Sequence, residues 1–544
     1  MQTLTIDGRE CTWEGKKSIL EVALDNNVEI PHYCYHPGMS IAASCRICLA
    51  EVGAPNPRND NKVELIPKLV PTCQTPAAEG MEVNLTNSPK TIANQKSVME
   101  MLLINHPLDC PVCDQAGECS LQDYSYSYGR SQSRFEETKI KQPKKDLGPN
   151  VLLYSDRCIM CSRCVRFTRE VTGTSEIGIF GRGSSEQIDV FPGKPLDNEL
   201  AGNVVDICPV GALLDKDFLM SMRVWNLKKT ASIDGITASG DNLSIETNED
   251  KVYRVKPRTN MDVNTWWTSD EIRYGWKFVH RSDRLRSPMH KVHGVLEELD
   301  WNAAYAQAFE QLELNVLKKG RGTTALVVSP MLASEEAYLL GRMITAIDED
   351  AVLAVGPVPF DGEDKTFPGG YTVYAEKAPN ARGVRRALEM VSDEVLDFDT
   401  FMAGIDRVRA MVLTGNYPSE WATPDVVTAA ADPNRYTVVI DTLPSALGHA
   451  ANLVLPGATW VEKSGSFENV NGRHQHFEQA LPVIELAKTE GQIALDLLAV
   501  ADKMERKLYN PFDWRTEMGD AFATDMYLPD AADAKVAEVE YVQL

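Results

Sequence analysis

Ser155-Asp156-Arg157-Cys158-Ile159-Met160-Cys161-Ser162-Arg163-Cys164-Val165-Arg166-Phe167 spaces three cysteines two residues apart, and Cys208-Pro209 follows far downstream. Such short intervals let three thiolates converge on one face of a bound group, with Cys208 folding back as the fourth donor. Two more sets lie upstream. Cys34, Cys45, Cys48 and Cys73 read C-x10-C-x2-C-x24-C, and His106, Cys110, Cys113 and Cys119 read H-x3-C-x2-C-x5-C. Each set offers four soft or borderline donors, the number that an iron–sulfur cluster needs. Structural zinc competes for them: Cys₃His is a legitimate zinc set, while three cysteines at x2 intervals are seldom one.

Eleven of the twelve cysteines fall between positions 34 and 208. Disulfides are disfavoured, because C-x2-C pairs in a large chain with no signal-like amino terminus are more often metal ligands. The 544 residues exceed what one core organises, so several domains are expected. The longest apolar runs, such as Ala325 to Val328, are strand-sized and far short of a membrane span. Thr3 to Ile6 alternates like a strand and Gly8 marks a turn, so no targeting segment is expected. The net charge of −23 disfavours nucleic acid as a partner.

Thr3 to Trp13 reads as a hairpin turning at Asp7-Gly8, and Ile19, Leu20, Val22, Ala23 and Leu24 as a helix stopped by Asn26-Asn27. A loop with three cysteines, a strand Cys48 to Val52 and a strand Met81 to Leu85 follow. This order suits a β-grasp ferredoxin holding [2Fe–2S], and the x10 gap resembles the version found in respiratory complexes. Cys11, beside Trp13 and without a partner at ligand spacing, reads as a small buried hydrophobe. Residues 91 to 104 read as an amphipathic helix, after which the turn at Asn105-His106-Pro107 brings His106 back toward Cys110.

Asn105-His106-Pro107-Leu108-Asp109-Cys110-Pro111-Val112-Cys113-Asp114-Gln115-Ala116-Gly117-Glu118-Cys119-Ser120-Leu121-Gln122-Asp123-Tyr124 closely resembles the large iron–sulfur subunit of bacterial NADH–quinone oxidoreductase, respiratory complex I. So do Met160 to Phe167 and Asp206 to Leu213. The resemblance implies a [2Fe–2S] cluster on Cys34, Cys45, Cys48 and Cys73. It further implies one [4Fe–4S] cluster on His106, Cys110, Cys113 and Cys119, and another on Cys158, Cys161, Cys164 and Cys208.

Arg130 to Pro149, rich in Lys, Arg, Gln and Pro, reads as a connecting arm, and Ser155 to Phe167 as the opening of a helix. Ser232 to Pro257 resembles the small strand-rich domain that opens molybdopterin oxidoreductases, where four more cysteines often hold another [4Fe–4S] cluster. No cysteine follows Cys208, and Ser269 stands near where the last of them would fall. From about residue 298, apolar runs at Thr323 to Ser329, Ala351 to Gly356, Val408 to Gly415 and Tyr436 to Asp441 alternate with helical stretches such as Ser334 to Ile347. This predicts a doubly wound parallel sheet. Gly415 to Pro418, Ala451 to Pro456 and Trp460 to Asn469 resemble pterin-domain segments. With no metal thiolate left and no G-x-G-x-x-G fingerprint, a degenerate scaffold without molybdopterin is expected.

The expected class is α+β and α/β multidomain. Its parts are a β-grasp domain (1–85), a His-Cys₃ domain (86–125), a Cys₄ ferredoxin-like domain (126–218), a strand-rich domain without cluster cysteines (219–275) and an α/β scaffold (276–544). The resemblance implies an electron relay with no catalytic residue of its own. It would receive electrons from a flavin on an NADH-binding partner and pass them, among other peripheral-arm subunits, to an iron–sulfur acceptor and on toward quinone. It also implies a cytoplasmic location, with membrane association only through partners. The competing class is the large subunit of an NAD-linked formate dehydrogenase or of a soluble hydrogenase diaphorase.

Overall fold

The computed structural model describes residues 1–502 and 505–524, which divide into two compact units: Met1–Leu227 with Phe367–Tyr371, and Lys228–Thr366 with the described residues from Thr372 onward.

In the first unit, Asp7 and Gly8 both take left-handed φ (49° and 82°), as a two-residue hairpin turn requires, and join strands Gln2–Ile6 and Arg9–Trp13. The sheet continues through Glu82–Asn84, parallel to the first strand, then Leu49–Asn56 and Lys62–Leu65. Helix Ile19–Asp25 starts at a capping box in which Ser18 Oγ accepts from Glu21 N and Glu21 Oε2 accepts from Ser18 N. Its buried Ile19, Leu20, Val22 and Ala23 share a core with Leu4, Ile6, Cys11, Trp13 and Val52. This is the β-grasp arrangement. Cys11 is fully buried in that core, as a small hydrophobe should be. The strand read from Cys48 begins at Leu49 and runs on to Asn56, because its outer half pairs with Lys62–Leu65.

Helix Pro89–Leu103, with proline in its first turn, ends where Lys139 Nζ donates to the carbonyls of Leu103 (2.7 Å) and Ile104 (2.8 Å). The arm read over 130–149 contains a strand, Lys144–Asp146, that edges the small sheet of Val151–Tyr154 and Leu213–Asp215. The helix read as opening across Ser155 to Phe167 is also corrected. A 3₁₀ turn at Ser155–Arg157 precedes an extended cysteine loop. Only Arg163–Arg166 is α-helical, widening into a π-turn at Phe167–Val171. Met160 and Ser162 interrupt the helix with left-handed φ of 54° and 60°.

In the second unit, Lys228–Ile233, Asn242–Asn248 and Lys251–Pro257 form an antiparallel meander. An eight-stranded sheet follows, in the order Val295–Glu298, Met289–Val292, Leu453–Pro456, Tyr436–Asp441, Ala410–Thr414, Thr324–Val328, Val352–Val355, Val395–Leu396. Its last six strands are parallel. Alternate residues feed two cores: Leu326 and Val328 face one with helix Ser334–Ile347, while Ala325 and Val327 face the other. Runs apolar on both faces mark a sheet covered on both sides, as the sequence anticipates. No helix among the described residues is long and apolar enough to cross a membrane.

Candidate metal centres

The cysteines of the first set sit on loops at one end of the β-grasp core. Cys34, Cys48 and Cys73 are buried and Cys45 half-buried. They sit in two hydrogen-bonded pairs. The side chain of Cys45 hydrogen-bonds Cys34 and lowers its pKa to about 5, against the opposing effect of burial. Cys73, with its sulfur 3.5 Å from that of Cys48, lowers the pKa of Cys48 to about 7. Two thiols shifted toward the thiolate suit a cationic iron–sulfur core.

In the second set, Cys113 and Cys119 are buried and Cys110 is exposed on a 3₁₀ turn. His106, Cys110 and Cys119 line one cavity. Burial lowers the pKa of His106 to about 4, with Arg157 and Lys139 adding to the effect, so its ring is neutral and free to donate a lone pair. Burial pushes the Cys119 thiol up to about 11, while the backbone of Gln122 and Leu121, at the start of helix Ser120–Tyr128, pulls it down.

The third set faces a common hollow. Cys158, Cys161, Cys164 and Cys208 line a single cavity walled by Leu153, Ile188, Val210 and Leu213. Burial, and for the first three repulsion from neighbouring cysteines, raises all four thiol pKa values, that of Cys161 to about 11. Four such sulfurs facing one apolar hollow need a cation to be held as thiolates, and that donor set fits a [4Fe–4S] group. Among the described residues, no three of these donors close to the radius of a single metal ion.

The segment Cys208 to Gly211 touches two sets. Pro209 O lies 3.9 Å from Cys119 Sγ, and a Cβ on Gly211 would stand 2.1 Å from Cys113 Sγ. Arg157 fastens this junction, donating to Asp109 at 2.8 Å and to Gly211 O at 3.4 Å. Between the first and second sets lies Tyr33, fully buried. Its hydroxyl donates to Met99 Sδ at 3.2 Å, and charge on Cys119 and Cys45 adds to the rise that burial causes in its pKa. Spacing alone does not reveal these bridging residues, although the Gly three residues after Cys208 is a visible sign of close approach.

The loop after strand Lys228–Ile233 holds a polar knot. The buried Asp234 carboxylate accepts from Ile236 N (2.8 Å), Thr237 N (3.0 Å), Ser239 Oγ (3.0 Å) and Thr237 Oγ1. Burial, then Asp241, pushes its pKa up to about 7. Ser269 caps helix Asp270–Tyr274. In the eight-stranded sheet the strand order reverses between Thr324–Val328 and Ala410–Thr414, where ligands of such folds bind. Tyr417, Met331 and Ala378 pack together there, and Tyr417 Oη donates to Pro357 O at 2.7 Å. Nearby, fully buried Lys463 bridges Glu336 and Glu490.

Five family models match. They are described as "2Fe-2S iron-sulfur cluster binding domain" (residues 1–88), "NADH-ubiquinone oxidoreductase-G iron-sulfur binding region" (95–134), "NADH-quinone oxidoreductase subunit 3, ferredoxin-like domain" (148–214), "NADH-ubiquinone oxidoreductase NDSU1/NuoG-like, 4Fe-4S domain" (227–277) and "Molybdopterin oxidoreductase" (386–500). Among similar curated proteins, the NADH-ubiquinone oxidoreductase 78 kDa subunit of Neurospora crassa is 40% identical over 352 residues, 63% of this chain and 46% of that one. The NADH dehydrogenase [ubiquinone] iron-sulfur protein 1 of Solanum tuberosum is 43% identical over 302 residues, covering 55% and 39%. An NADH-quinone oxidoreductase subunit of Rickettsia conorii is 36% identical over 340 residues, covering 62% and 48%. The chain thus spans less than half the length of each of these relatives.

The 227–277 match does not bring a cluster site with it. That stretch has no cysteine, and its loop residues Asp234, Thr237 and Ser239 bond one another, so the residues present do not fit a thiolate-held cluster. The chain is similar to the iron–sulfur subunits of NADH–quinone and NADH–ubiquinone oxidoreductases, with 2Fe–2S and 4Fe–4S binding domains ahead of a molybdopterin oxidoreductase domain.

Proposed function

We propose that this chain is the electron-relay subunit of an NADH–quinone oxidoreductase. Cys34, Cys45, Cys48 and Cys73 hold a [2Fe–2S] cluster. His106, Cys110, Cys113 and Cys119 hold one [4Fe–4S] cluster, and Cys158, Cys161, Cys164 and Cys208 hold a second. The observation that carries the reading is the Cys208–Gly211 segment. It supplies a donor to the third set and packs against Cys119 and Cys113 of the second, so two sites share one stretch of backbone. The clusters supply one-electron chemistry, and the chain supplies burial, spacing and backbone N–H groups at the sulfurs. Electrons enter from a flavin on an NADH-binding partner, pass among the peripheral-arm subunits and leave to an iron–sulfur acceptor subunit on the way to quinone. Membrane association comes through those partners. The Tyr417 cluster beside the sheet's reversal point and the Lys463 ion set support a scaffold role, without molybdopterin, for the carboxy-terminal domain.

Elemental and acid-labile sulfide assays test this directly. Protein purified without oxygen is expected to carry about ten irons per chain, two from the [2Fe–2S] and four from each [4Fe–4S] group. About six would remove one cubane, and stoichiometric zinc in place of iron would overturn the relay. Stoichiometric molybdenum would overturn the scaffold role and favour a formate dehydrogenase.

A further inference from the structure

Arg163 stands between the first and third donor sets. Its Nη1 donates to the carbonyl of Ile207 at 3.1 Å, the residue before Cys208, and its Nη2 to the carbonyl of Tyr35, the residue after Cys34. The third donor, Nε, is buried with no hydrogen-bond partner, and the side chain lines the cavity shared by Cys158, Cys161, Cys164 and Cys208. One turn further on, Arg166 donates to the carbonyls of Cys34 and Ser40, and Glu170 accepts from Ser40 N (2.8 Å) and Ser40 Oγ (2.6 Å). The backbone turn that carries Cys164 therefore also clamps the loop that begins at Cys34. A buried N–H left unpaired is costly, so an unpaired donor on a side chain that lines this cavity points to an acceptor within it.

We propose that Arg163 is a positioning residue shared by two clusters: its Nε–H donates to a sulfur of the third-set [4Fe–4S] group, and its fixed charge favours the reduced state of both that group and the first-set [2Fe–2S] group. This rests on the cluster assignment above. Each group gains one negative charge on reduction and a guanidinium stays protonated, so the arginine opposes that charge without exchanging a proton. Burial, the largest effect, and the neighbouring Arg166 work against the guanidinium charge and lower its pKa, while the Cys161, Cys208 and Cys34 sulfurs work in its favour.

The test is an electron paramagnetic resonance redox titration of the full chain with its clusters, for wild type, Arg163→Gln and Arg163→Lys, with iron measured on each. Arg163→Gln is expected to shift both midpoints to more negative potentials. Arg163→Lys keeps the charge but lacks the Nε–H, so the first-set signal should stay near wild type while the third-set signal shifts part of the way. Midpoints unmoved in Arg163→Gln, or only one of them moved, would overturn the proposal. Equal loss of iron from both variants would overturn it too, since the arginine would then be holding only the fold. If the wild type itself lacks either signal, the cluster assignment falls first, and that outcome is visible before any variant is compared.

Discussion

Gly211→Ala is expected to remove the second cluster. The added methyl would stand 2.1 Å from Cys113 Sγ and 3.1 Å from Gln115 Cβ, and the sulfur lies one bond from its own Cβ. Cys113 can escape the clash only by turning its thiol out of the site. Arg157, bonded to Gly211 O and to Asp109, holds the facing backbone in place, so the two chain segments cannot simply part. Iron should fall by about four per chain, the content of one [4Fe–4S] group. The [2Fe–2S] signal, which draws on none of these residues, should survive. Wild-type iron in Gly211→Ala would mean that Cys113 is not a ligand.

Lys463→Met should destabilise the second unit strongly. Lys463 Nζ lies 2.7 Å from both Glu336 and Glu490, and all three side chains are fully buried. Removing the cation leaves two buried carboxylates unpaired, a loss of about 3–5 kcal/mol when one partner of a buried ion pair is deleted. The pH dependence has a definite sign. Burial pushes the Glu490 pKa from 4.5 up to about 8, with Lys463 pulling down and Glu336 pushing up. A carboxyl whose pKa is higher in the folded state stabilises the fold fully below its unfolded pKa and loses that contribution as pH rises toward the folded value. Stability of the second unit should therefore fall between about pH 4.5 and 8, and in Lys463→Met, without the cation's downward pull on Glu490, keep falling to higher pH. Denaturant unfolding across that range is the check. A variant within about 1 kcal/mol of wild type at every pH would show that the triad is not a buried ion set.

Sequence reading reaches far here because the decisive signals are local. Asp7-Gly8 demands a turn, Ile19, Leu20, Val22 and Ala23 mark a buried helix face, and the unbroken apolar run Ala325–Val328 reports a strand covered on both faces. The cysteine spacings likewise name three donor sets; the four cysteines of the third line one cavity, and His106, Cys110 and Cys119 of the second line another. Elsewhere, long-range contact decides. Lys144–Asp146 is a polar strand with no apolar period and exists only because Val151–Tyr154 pairs with it. The helix expected through Cys158–Cys164 gives way to left-handed turns at Met160 and Ser162. Arg163 and Arg166 carry no signal in the sequence. Their role becomes visible only once a loop more than a hundred positions away in the chain is seen beneath them.

Spin-quantified electron paramagnetic resonance during a reductive titration counts the one-electron centres on this chain. One [2Fe–2S] and two [4Fe–4S] signals are expected, each integrating to about one spin per chain with its own midpoint. A colourless protein with no signal at any potential, its cysteines holding zinc, would contradict the electron-relay role.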